Sequence, residues 1–519
     1  MRTPRGMLRI LRSLARRVVT MDETISDLGS QLDQLRTAHA AMMTELATVR
    51  EAVNESATQA RCDSLELARS VHLGVRQGGL RGRRLRVVLL VHNTSAWDSL
   101  SELWHLMDRA HDIDPVVVSL PKHFGGDGEL AGEEDAHAEL TARGVPHLRS
   151  EVGSDPLALL RILAPDVVFR QSQWDRDVDP RLSTANLAFT RLCLVPYEML
   201  NPITNVSRSG TKDTAVDMAL HHEAWLVFGT AATVTAAQEK GRRQGSQFRV
   251  VGHPKLDALR AAEPEWPLPG RLPRVLFSTH HSVGNAWTGF GQLDVSRAGF
   301  LKWARSGTAE IVWSPHPYLV PFVAAGHGRL SAAELDEWRS EWDAQPSAAT
   351  SLTDRYAALL AACDLVVTDG ISMLVEGQVS GRPVIFLERE GHVPFNEAGE
   401  VVLRGVHRVS SVTEARELAE RLVRDGDPLR DVQREVVHEL FGEPGAAGRI
   451  LAELRTQALA EGWRPAEREG HVQFNEAGDV VLASVDRVST VTDAREVAER
   501  LVPEYISDLQ DQNGRLTRR

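Results

Sequence analysis

The residues best suited to chemistry in this 519-residue chain lie in four short loops, each of which follows a predicted strand. The loops carry histidines, a lysine, an aspartate and several hydroxyl groups, and they comprise residues 252–259 (GHPKLDAL), 278–287 (STHHSVGNAW), 313–319 (WSPHPYL) and 368–372 (TDGIS). Because parallel strands end at one edge of their sheet, we expect these loops to gather at a single rim. Imidazole and ammonium groups neutralise phosphates, so the rim predicts a polyanion site.

The fourth loop has the clearest local signal. A buried apolar strand, Leu365–Thr368, stops at Asp369 and Gly370 and is followed by a short helix that runs to Val379. Backbone N–H groups at a helix N-terminus favour an anion, and Asp369 and Ser372 lie at that end of the helix. Taken alone, Asp369 and Ser372 would more often cap the helix than bind a ligand. The other three loops shift the balance toward a phosphate-binding turn.

The composition argues against several other classes of protein. The formal net charge of −12 disfavours general nucleic-acid binding. The cysteines, Cys62, Cys193 and Cys363, lie far apart and indicate neither a zinc site nor a disulfide framework. His280 and His281 lack the HxH or HExxH spacing of metal ligands, and we expect no metal and no other cofactor. No membrane-length apolar run and no signal peptide are apparent, which predicts a cytoplasmic protein.

An alternation of strands and helices predicts the scaffold that carries these loops. A first Rossmann-like half spans residues 81–250 and a second spans residues 251–459, so the fold class is α/β with two Rossmann-like domains. Strands are predicted at Arg86–Val91, Val116–Leu120, Val167–Arg170, Leu192–Val195, Trp225–Phe228 and Phe248–Val251, and then at Val275–Ser278, Ile311–Trp313, Leu365–Thr368, Val384–Leu387 and Val406–Val409. A ligand between two such halves meets the carboxyl ends of both sets of strands.

Residues 1–80 precede these halves and carry a heptad pattern. Apolar residues alternate in steps of four and three over more than six heptads, from Met7 to Val53, with one polar position at His39. This pattern predicts an N-terminal α-helical coiled coil and hence a homo-oligomer. Residues 1–22 are also basic and amphipathic, with no acid before Asp22. They predict either a helix on an anionic membrane surface or a solvated basic end of the coiled coil.

The C-terminal tail, residues 460–519, contains a partial duplication. Glu388–Val423 recurs as Glu467–Val502, with 28 of 36 positions identical. Only the first copy follows the TDGIS loop, so the second copy cannot duplicate a phosphate site by itself. A tandem duplication left as an appendage is the simpler interpretation, and a docking or regulatory element is the alternative.

The loops also resemble the motifs of a known family. The chain reads GHPKLD at 252–257, SPHP at 314–317 and TDGIS at 368–372, and Leu440-Phe441-Gly442 precedes a final helix. In order and spacing, these segments are similar to the G-x-P-R-x-D, K-x-H-P and T-D-Y-S-S motifs of the teichoic-acid CDP-glycerol glycerophosphotransferase family. The resemblance runs from about Arg86 to Ala458 and implies a fold like that of the GT-B glycosyltransferases.

The resemblance implies a metal-independent transferase that works at the cytoplasmic membrane face with CDP-glycerol as its donor. Asp369, Ser372 and His316 would contact or position the donor pyrophosphate, and Glu376 would face the nucleotide. On this basis the catalytic candidates are His316, His280 and Glu198, and the donor-binding candidates are Asp369, Ser372, Gly370, Thr279, Lys255 and Glu376.

The chain departs from the family in three places. Ile371 replaces the middle serine of T-D-Y-S-S, and Lys255 stands where the family has arginine. The W-H-G motif that carries the family's acceptor-activating histidine is not found, and the segment at that place reads Pro196-Tyr197-Glu198. Tyr197, Glu198 or His222 could act as the base, and the sequence does not decide among them.

We therefore expect a transferase that moves glycerol phosphate, or a related polyol phosphate, from a CDP-linked donor to a membrane-linked or cell-envelope glycan acceptor. One alternative keeps the GT-B fold but uses a nucleotide sugar. Another is a non-catalytic coiled-coil scaffold with a degenerate transferase module, which the missing W-H-G motif favours.

Overall fold

The structure is a computed structural model, and it describes residues 32, 34–53, 56–57, 84–122, 130–204, 213–284, 288–352, 356–465, 470–474 and 480–485. The chain divides into two compact units, Met1–Leu67 and Ala68–Arg519. The basic segment for which membrane binding is one of two interpretations, residues 1–22, lies outside the described residues, as does most of the second copy of the repeat.

Residues 34–53 of the first unit form one helix, α1. The apolar residues of the heptad pattern are exposed along it, among them Leu35, Met42, Leu46 and Val49. A helix that carries such a stripe usually buries it against a partner. The helix is as predicted, while the coiled coil that would cover this stripe stays a prediction.

The first α/β half of the second unit is built on a seven-stranded parallel sheet in the order β3-β2-β1-β4-β5-β6-β7. Most of its strands are apolar runs buried on both faces, as is typical of a parallel sheet covered by helices. The strands are β1 Leu85–Val91, β2 Ile113–Ser119, β3 His147–Arg149, β4 Val167–Arg170, β5 Arg191–Leu194, β6 Leu226–Gly229 and β7 Phe248–Val250. The helices are α2 Ser101–Asp108, α3 Glu133–Ala142, α4 Pro156–Leu163, α5 Ala219–Glu223 and α6 Ala231–Lys240.

The second half is built on a six-stranded parallel sheet in the order β10-β9-β8-β11-β12-β13. Its strands are β8 Arg274–Ser278, β9 Glu310–Trp313, β10 Ala348–Thr350, β11 Leu365–Thr368, β12 Val384–Leu387 and β13 His407–Val409. Its helices are α7 Lys255–Arg260, α8 Leu293–Arg305, α9 Leu319–Ala324, α10 Ala332–Asp343, α11 Tyr356–Ala362, α12 Ile371–Val379, α13 Glu397–Leu403, α14 Val412–Asp425 and α15 Arg430–Phe441. The predicted α/β fold with two Rossmann-like sheets is confirmed.

The strand order reverses once in each sheet. The chain moves outward from β1 to β2 and β3 and then returns to β4 on the other side of β1. It does the same in the second sheet, from β8 outward to β10 and back to β11. Ligands of open parallel sheets bind at this reversal, outside the carboxyl ends of the strands. The loops after β1, β4, β8 and β11 are therefore the places where the fold favours a site.

The last long helix, α16 (Ala446–Ala460), belongs to the core of the first sheet. Ile450, Leu454 and Trp463 join the apolar cluster that contains Met107 of α2, and Arg455 pairs with Asp112 at 2.6 Å. Sequence order places this helix in the second half, residues 251–459, because a return over such a distance leaves no local signal. The first domain is thus made of two separate segments of chain.

The two α/β halves also meet where the loop after β5 reaches the segment before α13. Ile203 forms an antiparallel bridge with Phe395. The side-chain amide of Asn396 donates to the carbonyl oxygens of Asn201 (2.9 Å) and Ile203 (3.0 Å), and its oxygen accepts from the N–H of Gly399. One side chain therefore both caps α13 and holds a loop of the other half.

The described part of the second repeat copy is an antiparallel hairpin of β14 (Gly470–Phe474) and β15 (Val480–Val485). In the first copy of the repeat, residues 391–395 form a loop and residues 401–403 end α13, so the two copies differ in backbone structure. The use of the second copy stays a prediction. Within the described part of the chain, no helix is long and apolar enough to cross a membrane.

Candidate functional site

The loops that follow β8, β9 and β11 converge at the carboxyl edge of the second sheet, at its reversal of strand order. They bring three imidazole rings together. The ring centroids of His280 and His281 are 4.3 Å apart, those of His281 and His316 4.6 Å, and those of His280 and His316 5.7 Å. The expectation that strand-end histidines gather at one rim therefore agrees with the geometry, although His281 was considered in the sequence only as half of a weak metal pair.

Asp369 is the residue that organises this rim. Its side chain is fully buried, and its carboxylate accepts from the main-chain N–H groups of His280 and Gln292, both at 2.6 Å. Burial raises the pKa of this carboxyl to about 7, although both N–H groups favour the charged form. The carboxylate thus faces the β8 loop and the start of α8. It positions the site, and it is not exposed at the mouth where the sequence suggested a donor contact.

The N-terminus of α12 faces the same rim. Gly370 is its N-cap, the Gly370 N–H donates to Thr368 Oγ1 at 2.8 Å, and no side chain caps the helix. A Cβ on Gly370 would lie 3.3 Å from that Oγ1 and 3.7 Å from the His280 Cβ, so this turn lies in contact with the His280 loop. Ser372 is exposed in the first turn of α12 and makes no hydrogen bond to the described part of the chain. The first N–H groups of α12 and the Ser372 hydroxyl are therefore available to an anion.

The tautomer of His280 follows from its neighbours. The Ser282 hydroxyl accepts from the N–H groups of Phe290 (3.2 Å) and Gly291 (3.3 Å), so its own proton is free to go to His280 Nδ1, 2.7 Å away. The Ser282 N–H also donates to that nitrogen, at 3.2 Å. Nδ1 is thus an acceptor, and the ring carries its proton on Nε2. Burial, together with His281 and His316, holds the pKa of His280 well below its usual value.

His316 and Thr279 are tied to each other through the main chain. The His316 N–H donates to the Thr279 carbonyl oxygen at 2.8 Å, and His316 Nδ1 accepts from the Tyr318 N–H at 3.1 Å. His316 is half-buried, and burial together with His281 lowers its pKa well below the usual value. Thr279 is buried, and its Oγ1 accepts from Trp313 Nε1 at 3.0 Å. His316 can reach a ligand at the rim, whereas Thr279 anchors the loop beneath it.

Lys255 and Glu376 form a buried ion pair beside this rim. Lys255 Nζ lies 3.2 Å from Glu376 Oε1, and about 6% and 5% of the two side chains is exposed. Burial opposes the charge on Lys255, but Glu376 and Tyr356 more than offset it and raise the lysine pKa. The pair joins α7 to α12. Each was expected to contact the donor, and the structure instead pairs them with each other.

The rim of the first sheet carries carboxylate and amide groups. Glu198, in the loop after β5, accepts from Gln173 Nε2 at 3.0 Å, and the Gln173 Oε1 atom is buried without a partner. Burial raises the pKa of Glu198, and the hydrogen bond from Gln173 and the charge of Lys255 act in the opposite direction. The nearby main chain is held by His253, whose Nε2 is 2.8 Å from the Pro196 oxygen. Glu198 therefore lies where the two halves meet, with the pKa shift expected of a general base.

The other two candidates for the base differ in position. His222 lies in α5, which directly precedes β6, and so belongs to the amino-terminal edge of the sheet. Its Nε2 is 2.6 Å from Asp217 Oδ1, within a local structural contact. Tyr197 follows β5 at the correct edge, but burial raises its pKa well above the usual value. His222 therefore lies at the wrong edge of the sheet to act as the base. The raised pKa of Tyr197 keeps its hydroxyl protonated, which disfavours Tyr197 as the base.

Gln171 is a residue of the first rim that sequence reasoning missed. It is fully buried at the end of β4, and its Oε1 accepts from the N–H groups of His92 and Asn93, both at 3.2 Å. Its Nε2 donates to the Asn93 carbonyl oxygen at 3.1 Å. The one available signal was the polar run His92–Ser95 directly after a buried strand.

A metal ion in a protein is held by several histidine, cysteine, aspartate or glutamate side chains placed close together. Among the described residues, no group of three or more histidine, cysteine, aspartate or glutamate side chains is arranged to hold a metal ion.

Comparisons with known proteins identify the fold. No protein-family model matches the sequence, and no curated protein sequence matches it. Among solved structures, the co-structure of S. aureus MnaA with UDP has 12% sequence identity and a TM-score of 0.50, over 72% of this chain and 97% of that chain. UDP-GlcNAc 2-epimerase from Neisseria meningitidis bound to UDP-GlcNAc has 13% identity and a TM-score of 0.48, over 72% and 100%. The enzyme of the same name from Methanocaldococcus jannaschii, in complex with UDP-GlcNAc and UDP, has 15% identity and a TM-score of 0.47, over 72% and 99%.

The first of these likenesses, together with the two parallel sheets, gives this chain a GT-B-like fold. The expected fold is confirmed at that level.

Proposed function

We propose that this protein is a transferase that uses a nucleotide-diphosphate-linked donor and binds the donor diphosphate at the rim of the second sheet. The single observation that carries the proposal is the meeting of three imidazoles with an uncapped helix N-terminus at the strand-order reversal. Oriented N–H groups of this kind stabilise phosphate charge as it develops.

The proposed donor is CDP-glycerol or a related CDP-alcohol. The support for this choice is the order of the loop motifs, GHPKLD, SPHP and TDGIS, which resembles the glycerophosphotransferase pattern. In the reaction, a hydroxyl oxygen of an envelope glycan or teichoic-acid-like acceptor attacks the phosphorus that bears the glycerol. The bond from that phosphorus to the bridging oxygen breaks, and CMP leaves with the bonding electrons. The hydroxyl proton passes to a base and then to solvent.

The residues divide into those that would touch the donor and those that position them. His280, His316, the Ser372 hydroxyl and the first N–H groups of α12 would contact the phosphates. Asp369 holds the His280 loop, and Thr279 holds the main chain of His316. We assign the base to Glu198, because burial favours proton uptake and the side chain lies beside the second half.

A nucleotide sugar is the second candidate donor. It is favoured by the fold comparison, since the matching S. aureus structure was determined with UDP. In that case the leaving group would be a nucleoside diphosphate, and the same rim would hold its charge.

The proposal also includes the cellular site of the reaction. A cytoplasmic enzyme with a membrane-linked acceptor would meet it at the inner face of the membrane, with residues 1–22 on the anionic surface. Flotation of the full chain with anionic vesicles, beside a chain that begins at residue 23, tests this part. Equal flotation of the two chains rejects it.

The test of function is a binding panel followed by turnover. Isothermal titration of the purified chain with CDP-glycerol, CDP-ribitol, UDP-GlcNAc and GDP-mannose compares the donor classes. We expect CDP-alcohols to bind most tightly and His316→Ala to weaken them. Glu198→Gln should bind the donor normally but release CMP more slowly when an acceptor is supplied. Binding of UDP-GlcNAc alone would select the second candidate, and no binding by any member of the panel would reject the proposal.

A further inference from the structure

The rim of the second sheet has three imidazoles, and two of the cationic side chains near it are already paired. Lys255 is paired with Glu376, and Arg389 lies against Asp294 and the Gly291 oxygen. The groups that act electrostatically on His280 and His316 are other histidines, and for His281 burial alone shifts the pKa. Arg329 packs against Gly284 in the loop after β8, but it does not act on any of the three rings. An ionised diphosphate among these rings would therefore meet hydrogen-bond donors rather than a neighbouring positive charge.

Burial keeps these histidines neutral when the site holds no anion. It lowers the pKa of His281 to about 4, and it lowers those of His280 and His316 well below the usual range. An anion close to an imidazole acts in the opposite direction, because it stabilises the charged ring. Binding of a diphosphate is therefore coupled to proton uptake, and the hydrogen bonds of the cluster decide which ring receives the proton.

Two of the three rings are poor candidates. His280 Nδ1 accepts from both the hydroxyl and the main-chain N–H of Ser282. His316 Nδ1 accepts from the Tyr318 N–H. An imidazole whose Nδ1 accepts a hydrogen bond is already protonated on Nε2, and a second proton on Nδ1 would break that bond. Protonation of His280 or His316 thus costs buried hydrogen bonds as well as desolvation.

His281 differs from these two rings, because no described group donates a hydrogen bond to its Nδ1 atom. Its Nδ1 atom is buried and has no hydrogen-bond partner among the described residues, while the residue as a whole is only half-buried. Its ring packs against Tyr318 at 5.4 Å and Phe322 at 5.9 Å, in addition to the two histidines. A proton added to Nδ1 breaks no hydrogen bond within the described part of the chain, and the half-buried ring as a whole can share the resulting charge with an anion.

We propose that His281 takes up a proton from solvent when a diphosphate binds at the rim, and that the resulting imidazolium supplies the positive charge of the site. This inference rests on the proposed function, because it assumes that the rim binds a diphosphate. The proton leaves again when the nucleotide product dissociates, so the cycle is balanced without any further reactant. His281 is then a donor-binding residue that the motif resemblance did not identify.

The surroundings of His281 are compatible with this role. The titratable groups that face it are His280 on its own loop and His316 and Tyr318 on the loop after β9. Phe322 covers it from α9. From the β11 side, the Asp369 carboxylate is turned to the N–H groups of His280 and Gln292. The described neighbours therefore hold no carboxylate against the ring, and a bound phosphate would be its counter-ion.

The proposed proton uptake fixes the direction in which ligand affinity changes with pH. The pKa of His281 is about 4 without ligand and rises on binding, so affinity should increase as the pH falls through the bound-state pKa. The gain ends near pH 4, where His281 is protonated in both states. A bound-state pKa of about 7 would correspond to roughly thousand-fold tighter binding to the protonated protein, since each pKa unit is a factor of ten.

The experiment measures protons directly. Calorimetric titration of the full chain with CDP-glycerol and with UDP-GlcNAc, at pH 7 in three buffers of different ionisation enthalpy, gives the protons taken up per ligand. Both ligands have diphosphates esterified at each end, so the phosphates exchange no proton near this pH. We expect an uptake of at least about 0.5 proton per ligand for the unmodified chain. The same uptake is expected from His438→Gln, a matched control on the exposed side of α15.

The decisive variant is His281→Gln, which keeps a polar side chain but cannot become a cation. Uptake should fall below about 0.2 proton, and affinity at pH 6 should weaken by roughly tenfold. Binding by the unmodified chain without proton uptake would overturn this inference and leave the proposed function intact. Unchanged uptake in His281→Gln would overturn the assignment to His281. If neither ligand binds, the proposed function and this inference fail together. Should His281→Gln misfold, the ¹⁵N shifts of the imidazoles in the unmodified chain, with and without ligand, decide the same question.

Discussion

In each sheet, one buried side chain joins the loops of two neighbouring central strands, and the two side chains differ in charge. At the reversal point of the first sheet, Gln171 at the end of β4 accepts from the N–H groups of His92 and Asn93 in the loop after β1. At the equivalent point of the second sheet, Asp369 after β11 accepts from the N–H of His280 after β8 and from that of Gln292. Both bridging side chains are fully buried. The first bridge is a neutral amide, and the second is a titratable carboxylate.

The two rims also differ in their other polar groups. The first rim holds the Glu198 carboxylate and the Gln173 amide, which can accept hydrogen bonds from a hydroxyl group. Lys122 and His92 line a small pocket beside them. The second rim offers imidazoles and helix N–H groups, which suit a phosphate. The comparison teaches that the fold supplies two equivalent positions with different side chains, and under the proposed function the first would take the acceptor and the second the donor. The predictions below test this division, in order of decreasing effect.

The largest effect is expected at the ion pair between the rims. Glu376→Leu leaves the Lys255 ammonium buried without a counter-ion and should lower the free energy of unfolding by about 3–5 kcal/mol. The double variant Lys255→Met/Glu376→Leu should recover most of that loss, because no charge then remains buried. Urea denaturation of the single and double variants gives both values. A double variant as unstable as the single one would mean that packing, and not charge, governs this contact.

The next largest losses of stability are expected at the two bridging residues, Asp369 and Gln171. At pH 8, Asp369→Ala should lower the free energy of unfolding by about 3 kcal/mol, because two buried N–H groups lose the acceptor that they contact at 2.6 Å. Gln171→Ala should cost about 2 kcal/mol, since its hydrogen bonds are neutral. Denaturation of both variants under one condition makes the comparison. Equal losses would show that the shorter hydrogen bonds of the second bridge add no stability beyond those of the amide bridge.

The charge difference also predicts different pH behaviour. Burial raises the Asp369 pKa to about 7, above its unfolded value of ~3.9. Protonation of this carboxyl therefore adds stability that is fully present below pH ~3.9 and is lost as the pH rises through 7, where only the hydrogen bonds of the carboxylate remain. Asp369→Asn removes that contribution. Between pH 7 and pH 5 the variant should therefore lose about 2 kcal/mol more of unfolding free energy than the unmodified chain. Buried histidines such as His92 and His253 destabilise both proteins equally on acidification and cancel in the difference.

The control for that measurement is Gln171→Leu, which alters the neutral bridge. Its pH dependence should run parallel to that of the unmodified chain, because no titrating group is removed. A steeper acid loss in Gln171→Leu would contradict the assignment of the effect to the Asp369 proton.

The smallest expected effect is on donor affinity, and it should appear for a variant at the second rim but not for one at the first. His316→Ala should weaken binding of the proposed donor by roughly tenfold, about 1.4 kcal/mol, because a phosphate loses one donor group. Gln173→Ala, at the other rim, should leave donor affinity unchanged. Calorimetric titration with CDP-glycerol measures both. The division between the rims fails if Gln173→Ala weakens the donor as much as His316→Ala does.

Sequence reasoning located the central strands because they are apolar runs buried on both faces. β4, β11 and β12 have the predicted bounds, and the other predicted strands are shifted by only a few residues. The edge strands β3 (His147–Arg149) and β10 (Ala348–Thr350) were missed, since three residues of mixed polarity carry no run to detect. The return of α16 to the first sheet was missed because it depends on contacts distant in sequence.

For the site, spacing after strands was enough to gather His280, His316 and Asp369 at one rim. It could not give the direction in which each side chain points. Asp369 turns inward to main-chain N–H groups, and Lys255 and Glu376 neutralise each other. Gln171 and Gln173 gave no signal, because a buried glutamine is identified only by the partners that it meets in three dimensions.

A crystal structure of the full chain soaked with CDP-glycerol tests the division of the rims most directly. We predict that the diphosphate lies against His316, His281 and the first N–H groups of α12, with the glycerol-bearing phosphorus turned toward Glu198. A diphosphate bound instead at the first rim, against the loop after β1 and Gln171, would contradict the account.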